Sequence, residues 1–305
     1  MIIAAGLTPA WQQVLLFDRF RVGEVNRAVE AVWCASGKVI NAGLALHHLG
    51  GPSTTLALVG GQSGESIARE LSDLGVERVL IESRRSTRVC TTILDRSSGV
   101  TTELVENAAP VEAAEIAAFI EAYAEAARGA RMAVLSGSLP KGAPPTFYRT
   151  LLERTPCRAV VDARGEELLE TLPLEPFVVK PNREELGRTI GREIRSEEDL
   201  LEAIADVHRR GAEWVVVSDG KGRLIASGEG ALRMYRPATV PTVNPIGCGD
   251  CLAAGIAWAC DRGMAVPEAV RFGMAAAAEN AAMLLPSRLD LDKVRRRMAE
   301  VEMED

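Results

Sequence analysis

The chain has 305 residues, 47% of them hydrophobic and 25% charged, an ordinary globular balance with length enough for one large α/β domain. A formal net charge of −7 argues against a general polyanion binder, and an aromatic content of 4% leaves few platforms for stacking single-stranded bases, so no nucleic-acid partner is expected. The opening MIIAAGLTPAW has no basic lead of a signal peptide, and the apolar run at 251–260 is about half of what a bilayer needs, so no membrane partner is expected either. Six scattered cysteines (34, 90, 157, 248, 251 and 260) do not form a disulfide framework, and a reducing cytoplasm is the expected compartment.

Residues 1–6 read as a buried strand, and 12–34 as half-exposed strands around VLLF (14–17) and AVEAVW (28–33). The stretch 36–49 predicts a helix closed by Gly50-Gly51, 54–59 a buried strand, about 65–74 a helix stopped by Gly75, and 79–81 a short strand. Runs at 89–95 and 100–105 flank Ser97-Ser98-Gly99 and read as a hairpin, whose partners would be the strands near 14–33 in a small sheet off the main domain. From Pro110 onward strands (132–135, 158–162, 177–180, 214–218) alternate with helices (112–127, 145–153, 183–190, 197–209). A hairpin-like region at 223–236, a turn and helix at 244–260, and helices at about 267–284 and 290–299 follow. That alternation implies a largely parallel sheet covered on both faces, with ligands bound beyond the carboxyl ends of its strands. The loops at 136–140, 162–165, 180–185, 218–222 and 244–250 are therefore the places to look.

The most informative stretch is PTVNPIGCGDCLAAGIAWACDRG at 241–263. A Gly-, Asn- and Pro-rich turn runs into an apolar helix, and a helix start leaves N–H groups unpaired beside a partial positive charge. The amides of Gly247, Cys248 and Gly249 can converge as an anion hole, with Asp250 placed to take a proton from an alcohol. The C-x-x-C formed by Cys248 and Cys251 invites a redox or zinc reading. Zinc wants about four ligands, however, and none of the three histidines (47, 48, 208) is spaced to join the pair. Cys251 is better read as a small buried helix residue.

The stretch NPIGCGDCLAAG (244–255) resembles the C-terminal signature of the ribokinase-like (PfkB) carbohydrate kinases, with Cys248 where that family commonly has Ala. SGKVINAGLALHHLGG (36–51), SGSLPKGAP (136–144), VVKPNREEL (178–186) and VVVSDGKGRLIA (215–226) resemble its other blocks. The opening GLTPA, the 23–27 stretch, Thr87-Arg88 and Thr102-Glu103 are most similar to the 1-phosphofructokinase and tagatose-6-phosphate kinase branch. The resemblance spans nearly all of residues 1–286. It implies one kinase domain over 1–305: a ribokinase-like three-layer α/β/α core with a mostly parallel sheet, and a small β-sheet lid from insertions at about 12–34 and 88–106.

The same resemblance implies phosphoryl transfer from Mg-ATP to a hydroxyl of a phosphorylated ketose, Asp250 as base, and Gly247, Cys248 and Gly249 as anion hole. Lys180, Asn182, Glu185, Ser218, Gly220, Gly222, Gly249 and Asn280 would serve ATP, with Glu185 organising magnesium through water. The blander reading of the same residues takes Asn182 as an N-cap and Glu185 as an exposed helix residue. Asp219 is expected to point away from phosphate. Gln12, Gly37, Lys38, Asn41, Arg88 and Ser138 would face the sugar, and Arg27 would reach it across a homodimer formed through the lid. Arg suits phosphate because it binds in bidentate fashion. A potassium requirement stays open.

The departures gather on the sugar side. Thr8 and Gln12 stand where the subgroup usually has Asn and Asp, Ser36 and Val39 where it has Gly, Cys90 where it often has Asn, and Thr92 where it often has Lys. Gln accepts and donates but offers no charged acceptor. Two other readings therefore stand beside the sugar-phosphate kinase: a kinase for an unphosphorylated sugar or nucleoside, and a non-catalytic sugar or nucleotide sensor on the same fold.

Overall fold

The computed structural model describes residues 1–220 and 222–304, so Lys221 of the 215–226 block and the final Asp305 lie outside the described residues. The strands are β1 (Ile2–Gly6), β2 (Ala10–Phe17), β3 (Glu30–Ser36), β4 (Ser53–Val59), β5 (Arg78–Glu82), β6 (Val89–Asp95), β7 (Val100–Val105), β8 (Met132–Ser136), β9 (Arg158–Asp162), β10 (Val178–Val179), β11 (Trp214–Ser218), β12 (Leu224–Gly228), β13 (Ala231–Arg236) and β14 (Glu302–Glu304). The helices are α1 (Lys38–His48), α2 (Gly61–Asp73), α3 (Ala113–Ala127), α4 (Phe147–Glu153), α5 (Glu166–Leu169), α6 (Arg183–Ile190), α7 (Glu197–Arg209), α8 (Cys248–Asp261), α9 (Val266–Ala281) and α10 (Leu291–Met298).

The main sheet runs β14-β13-β12-β11-β10-β9-β8-β1-β4-β5. From β5 to β11 every neighbour is parallel, and β12, β13 and β14 extend it antiparallel. Alternation along a strand sends successive side chains to opposite faces. Ile2 and Ala4 of β1 accordingly join a core with α1, α8, α9 and α10 residues such as Leu46, Ala254, Phe272 and Val294. Ile3 and Ala5 join the opposite core with Phe119, Phe147, Leu186 and Ile204 from α3, α4, α6 and α7. The result is a three-layer α/β/α body whose parallel strands are buried on both faces. Leu44, Leu46, Leu49 and Ile40 are core, as their spacing predicts.

A second sheet, ordered β3-β2-β6-β7, forms the lid. β2 pairs antiparallel with β3 and parallel with β6, while β6 and β7 make the predicted hairpin. The chain leaves the core after β1, returns through β3 into α1, leaves again after β5 and returns through β7 into α3. Two excursions thus hold one small sheet above the carboxyl edge of the large one. Element bounds shift modestly from expectation. α2 starts at Gly61 rather than near 65, and α8 at Cys248, because Pro245 and a left-handed Gly247 keep the preceding turn out of the helix. α5 and β14 are additions that periodicity does not reveal, being four and three residues long.

Candidate active site

A cleft of about 1350 Å³ lies between the lid and the carboxyl ends of the parallel strands. Its floor is the turn before α8. Gly247 sits at φ +86, a conformation that favours glycine, and a Cβ there would press on Pro286 and Ser287 at 3.1 and 3.3 Å. Asn244 shapes the turn: its Oδ1 accepts from the Ile246 amide (3.0 Å) and its Nδ2 donates to Leu284 O (2.8 Å). From the other side Asn280, fully buried, donates Nδ2 to Ile246 O (2.8 Å) and accepts the Ser287 amide. Among the described residues no carbonyl takes the amides of Gly247 and Gly249, whereas the Cys248 amide is already shared with Pro245 O at 3.3 Å. The anion hole expected here would thus rest on the glycine amides more than on Cys248.

Asp250 occupies the first turn of α8, 6% exposed. Asn41 donates Nδ2 to its Oδ2 at 2.8 Å. Burial, then the nearby Asp162 carboxylate, push the Asp250 carboxyl up to about 6, against the pull of Lys38, the Asn41 hydrogen bond and Lys180. At neutral pH it is a carboxylate, yet basic enough to accept a proton.

Around it stands a charge cluster. Asp162, at the carboxyl end of β9, meets Lys38 Nζ at 3.2 Å and Lys180 Nζ at 3.3 Å, and Ser136 Oγ donates to its other oxygen (3.3 Å). Burial raises the Asp162 carboxyl, but Lys180 and Lys38 outweigh it and hold it below the usual carboxylate range. Burial likewise works against the Lys38 ammonium, yet Asp162, Glu185 and Asp250 hold it well above the usual lysine range. Lys180 is buried, and a Cβ on Gly249 would lie 3.5 Å from its Nζ, so the ammonium overhangs the anion hole. Asn182 caps α6, its Oδ1 accepting from the Glu185 amide while Glu185 Oε2 accepts from the Asn182 amide. The second Glu185 oxygen turns toward Lys38 (3.6 Å) and Arg164 (4.0 Å).

At the lid end, Gln12 is buried and donates Nε2 to Thr92 Oγ1 at 2.7 Å across β2 and β6. Ser36 Oγ donates to Asn41 Oδ1 at 3.1 Å. Gly37, at φ +89, caps α1 so close to the 8–10 turn that a Cβ would meet Thr8 O and the Ala10 amide at 2.8 Å. Thr8 Oγ1 donates to Ser138 O at 3.0 Å. Arg88 lines the cleft and spends its guanidinium on Thr8 O, Pro9 O and Glu106 O. Glu103 and Cys90 complete this wall.

A buried hydrogen-bonded carboxylate, a backbone anion site and paired lysines between lid and sheet edge call for comparison with known proteins. The model of the pfkB family of carbohydrate kinases matches residues 12–283. This chain belongs to the pfkB family. Phosphofructokinase-2 from Escherichia coli, solved in a tetrameric inhibited form, superposes with a TM-score of 0.87 at 26% identity, with 98% of each chain covered. The same enzyme in complex with fructose-6-phosphate gives a TM-score of 0.85 at 27% identity, over 98% of this chain and 97% of that one. A possible 1-phosphofructokinase from Thermotoga maritima shares the fold with a TM-score of 0.89 at 21% identity, over 99% of this chain and 98% of that one. The pfkB chain is thus an ATP-dependent carbohydrate kinase with the ribokinase-like core and lid.

In this pfkB kinase most of the residues singled out from the sequence meet in one cleft: Gln12, Gly37, Lys38, Asn41, Arg88 and Ser138, then Lys180, Asn182, Glu185, Ser218, Gly220 and Gly222, then Gly247, Cys248, Gly249 and Asp250. Two lie elsewhere. Asn280 lies behind the cleft lining, its amide bracing the 246–248 turn and Ser287, while Met274, Ala277 and Ala278 of the same helix line the cleft. Arg27 is exposed on the loop between β2 and β3, outside the cleft of its own chain. Asn182 is the N-cap that local pattern allows, but Glu185 is buried. Asp219 lines the cleft and pairs with Arg183 at 3.3 Å. Asp162 escaped sequence reasoning, although a lone acid ending a buried apolar strand was the signal. The C-x-x-C thiols carry no exposed thiolate: burial pushes Cys248 up to about 11 and Cys251 well above the usual thiol range.

Proposed function

We propose that this kinase transfers the γ-phosphoryl group of ATP to a free hydroxyl of a phosphorylated ketose of the fructose or tagatose type. The observation that carries the reading is Asp250, buried, held by Asn41 and set at the N-terminus of α8 beside the Gly247 and Gly249 amides, which among the described residues give no bond to a carbonyl. Asp250 takes the hydroxyl proton as the sugar oxygen bonds to the γ-phosphorus. The bond from that phosphorus to the β,γ-bridging oxygen breaks, and ADP leaves with the electron pair. The Gly247 and Gly249 amides and the overhanging Lys180 face the charge on the moving group, so the work is positioning and electrostatics. We read residues 1–305 as one kinase domain, with 12–34 and 88–106 as the lid that keeps water, the competing acceptor, from the phosphoryl group.

Magnesium fits this site through water. Among the described residues no three acidic, histidine or cysteine side chains cluster as a ready metal cage. Glu185 offers one buried carboxylate, and magnesium characteristically keeps several waters beside one or two carboxylates and the substrate phosphates. When bound it would neutralise phosphate charge next to Glu185 and Asn182. A potassium effect is checked by assaying in sodium and in potassium, since the Escherichia coli relative has been solved in complex with potassium.

The phosphate of the ketose is assigned to Lys38 and Arg88. One observation favours the second reading, a kinase for an unphosphorylated sugar or nucleoside: three backbone carbonyls already occupy Arg88. The lid also exposes Val22, Val25, Trp33 and Leu104, at 92, 84, 45 and 56%. Exposed apolar side chains of this kind suit pairing with a second copy, and we propose a homodimer through the lid in which Arg27 faces the partner's cleft. Light scattering on the purified protein, with Val25→Glu as the disrupting variant, checks the dimer. ADP release from ATP with fructose 6-phosphate, fructose 1-phosphate and tagatose 6-phosphate, against free hexoses and nucleosides, separates the two substrate readings.

A further inference from the structure

Ser36 is the last residue of β3, its backbone paired with Ala10 in the lid sheet, while its hydroxyl leaves the lid and reaches a core helix. There it donates to Asn41 Oδ1, and Asn41 donates onward to Asp250 Oδ2. All three residues are buried, at 1, 2 and 6% exposure. A carboxylate only accepts, so the amide must present Nδ2 to Asp250, which turns Oδ1 toward Ser36. The chain of donors is therefore directed, and each hydrogen bond polarises the next. Among the described residues no donor is aimed at the other Asp250 oxygen, Oδ1. Ser36 stands where the signature this chain resembles has a glycine, which has no hydroxyl to give.

We propose that Ser36 is a positioning residue: it fixes the Asn41 amide, which clamps Asp250 Oδ2 and leaves Oδ1 for the substrate hydroxyl. This rests on the reading of Asp250 as the base. Without the Ser36 hydroxyl, a buried amide oxygen loses its donor, at a cost that gives Asn41 reason to turn away from Asp250. The other groups facing Asp250 stay in place: Lys38 on α1, Asp162 at the end of β9, Lys180 after β10, and the protonated thiols of Cys248 and Cys251 on α8. A change in Asp250 on altering Ser36 therefore reports the Asn41 hydrogen bond rather than a new charge.

The test uses Ser36→Ala and Ser36→Gly, which remove the hydroxyl but differ in volume, with Asp250→Asn as control. Asp250 is titrated directly by carboxyl carbon NMR, its resonance identified by its loss in Asp250→Asn, and kcat is measured against pH. Both Ser36 variants should move the Asp250 midpoint up together by about half a unit, which lowers kcat near pH 6 about twofold from titration alone. ATP KM should hold. Midpoints that coincide with the wild type, or that move apart in Ala and Gly, overturn the proposal. Full turnover by Asp250→Asn would instead overturn the base assignment, a result the NMR titration reads separately.

Discussion

The two ends of the cleft are built by different means. On the proposed reading, the floor under the transferred group is backbone: the Gly247 and Gly249 amides, in a turn braced from behind by Asn244, Asn280 and Ser287. The end proposed for the sugar is lined by side chains projected from the lid and α1, namely Gln12, Ser36, Lys38, Asn41 and Arg88. A backbone site tolerates side-chain change, so Cys248 can stand where alanine is usual without altering the amides. A side-chain site changes its partner preference with each substitution. On the proposed assignment of the two ends, the contrast would let this chain keep phosphoryl transfer while departing from its family where the acceptor is held.

The largest effect is expected from removing the carboxylate that stands beside that floor. Asp250→Asn should lower kcat about 10³-fold, the usual worth of a general base, while leaving ATP affinity by calorimetry nearly unchanged. It should also stabilise the fold. A carboxyl raised by folding from 3.8 to about 6 favours the native state at low pH and loses that contribution as pH climbs through about 6. At pH 8 its buried charge costs about 3 kcal/mol, so the variant should melt several degrees higher. An unchanged or lower Tm would show that the Asn41 bond and the two lysines fully offset burial.

Next in size is the lid. Arg88→Ala should raise KM for a phosphorylated ketose about 10- to 100-fold with a smaller effect on kcat, as befits loss of a charge-assisted contact outside the reacting atoms. If KM for sugar is unmoved, the three carbonyls hold Arg88 as a structural strut and the unphosphorylated acceptor gains. The pH profile is a milder probe. With the working form of Asp250 deprotonated, kcat should fall below an acid limb near pH 6 and stay flat above it. The smallest effect is expected from Gln12→Asp. Restoring a charged acceptor beside Thr92 should shift the preference among ketose phosphates a few-fold, read as a ratio of kcat/KM values.

Much of this was legible in the chain itself. The βα alternation after Pro110 gives the parallel sheet, and the rule that ligands gather at strand carboxyl ends points to the loops that line the cleft. The turn at 244–250 suggests an anion site because two glycines and an aspartate stand together where a helix start leaves amides unpaired. What the sequence hides are long-range pairings. Asp162 reads as the end of an ordinary strand until Lys38 and Lys180, from distant elements, converge on it. Asn280 carries a polar side chain on the expected helix, but which way that helix turns depends on its packing against α8. Ser36 reads as a bulky misfit in a glycine signature, and only the fold brings it to Asn41 and Asn41 to Asp250.

Phosphoryl transfer to a ketose phosphate with Asp250 as base is read from ADP release from ATP with each of the three ketose phosphates, in the wild type and in Asp250→Asn. At least one phosphorylated ketose should accelerate ADP release more than about 100-fold over the water background, and Asp250→Asn should abolish the acceleration. No acceleration by any of the three, or acceleration that survives the loss of the carboxylate, would contradict it.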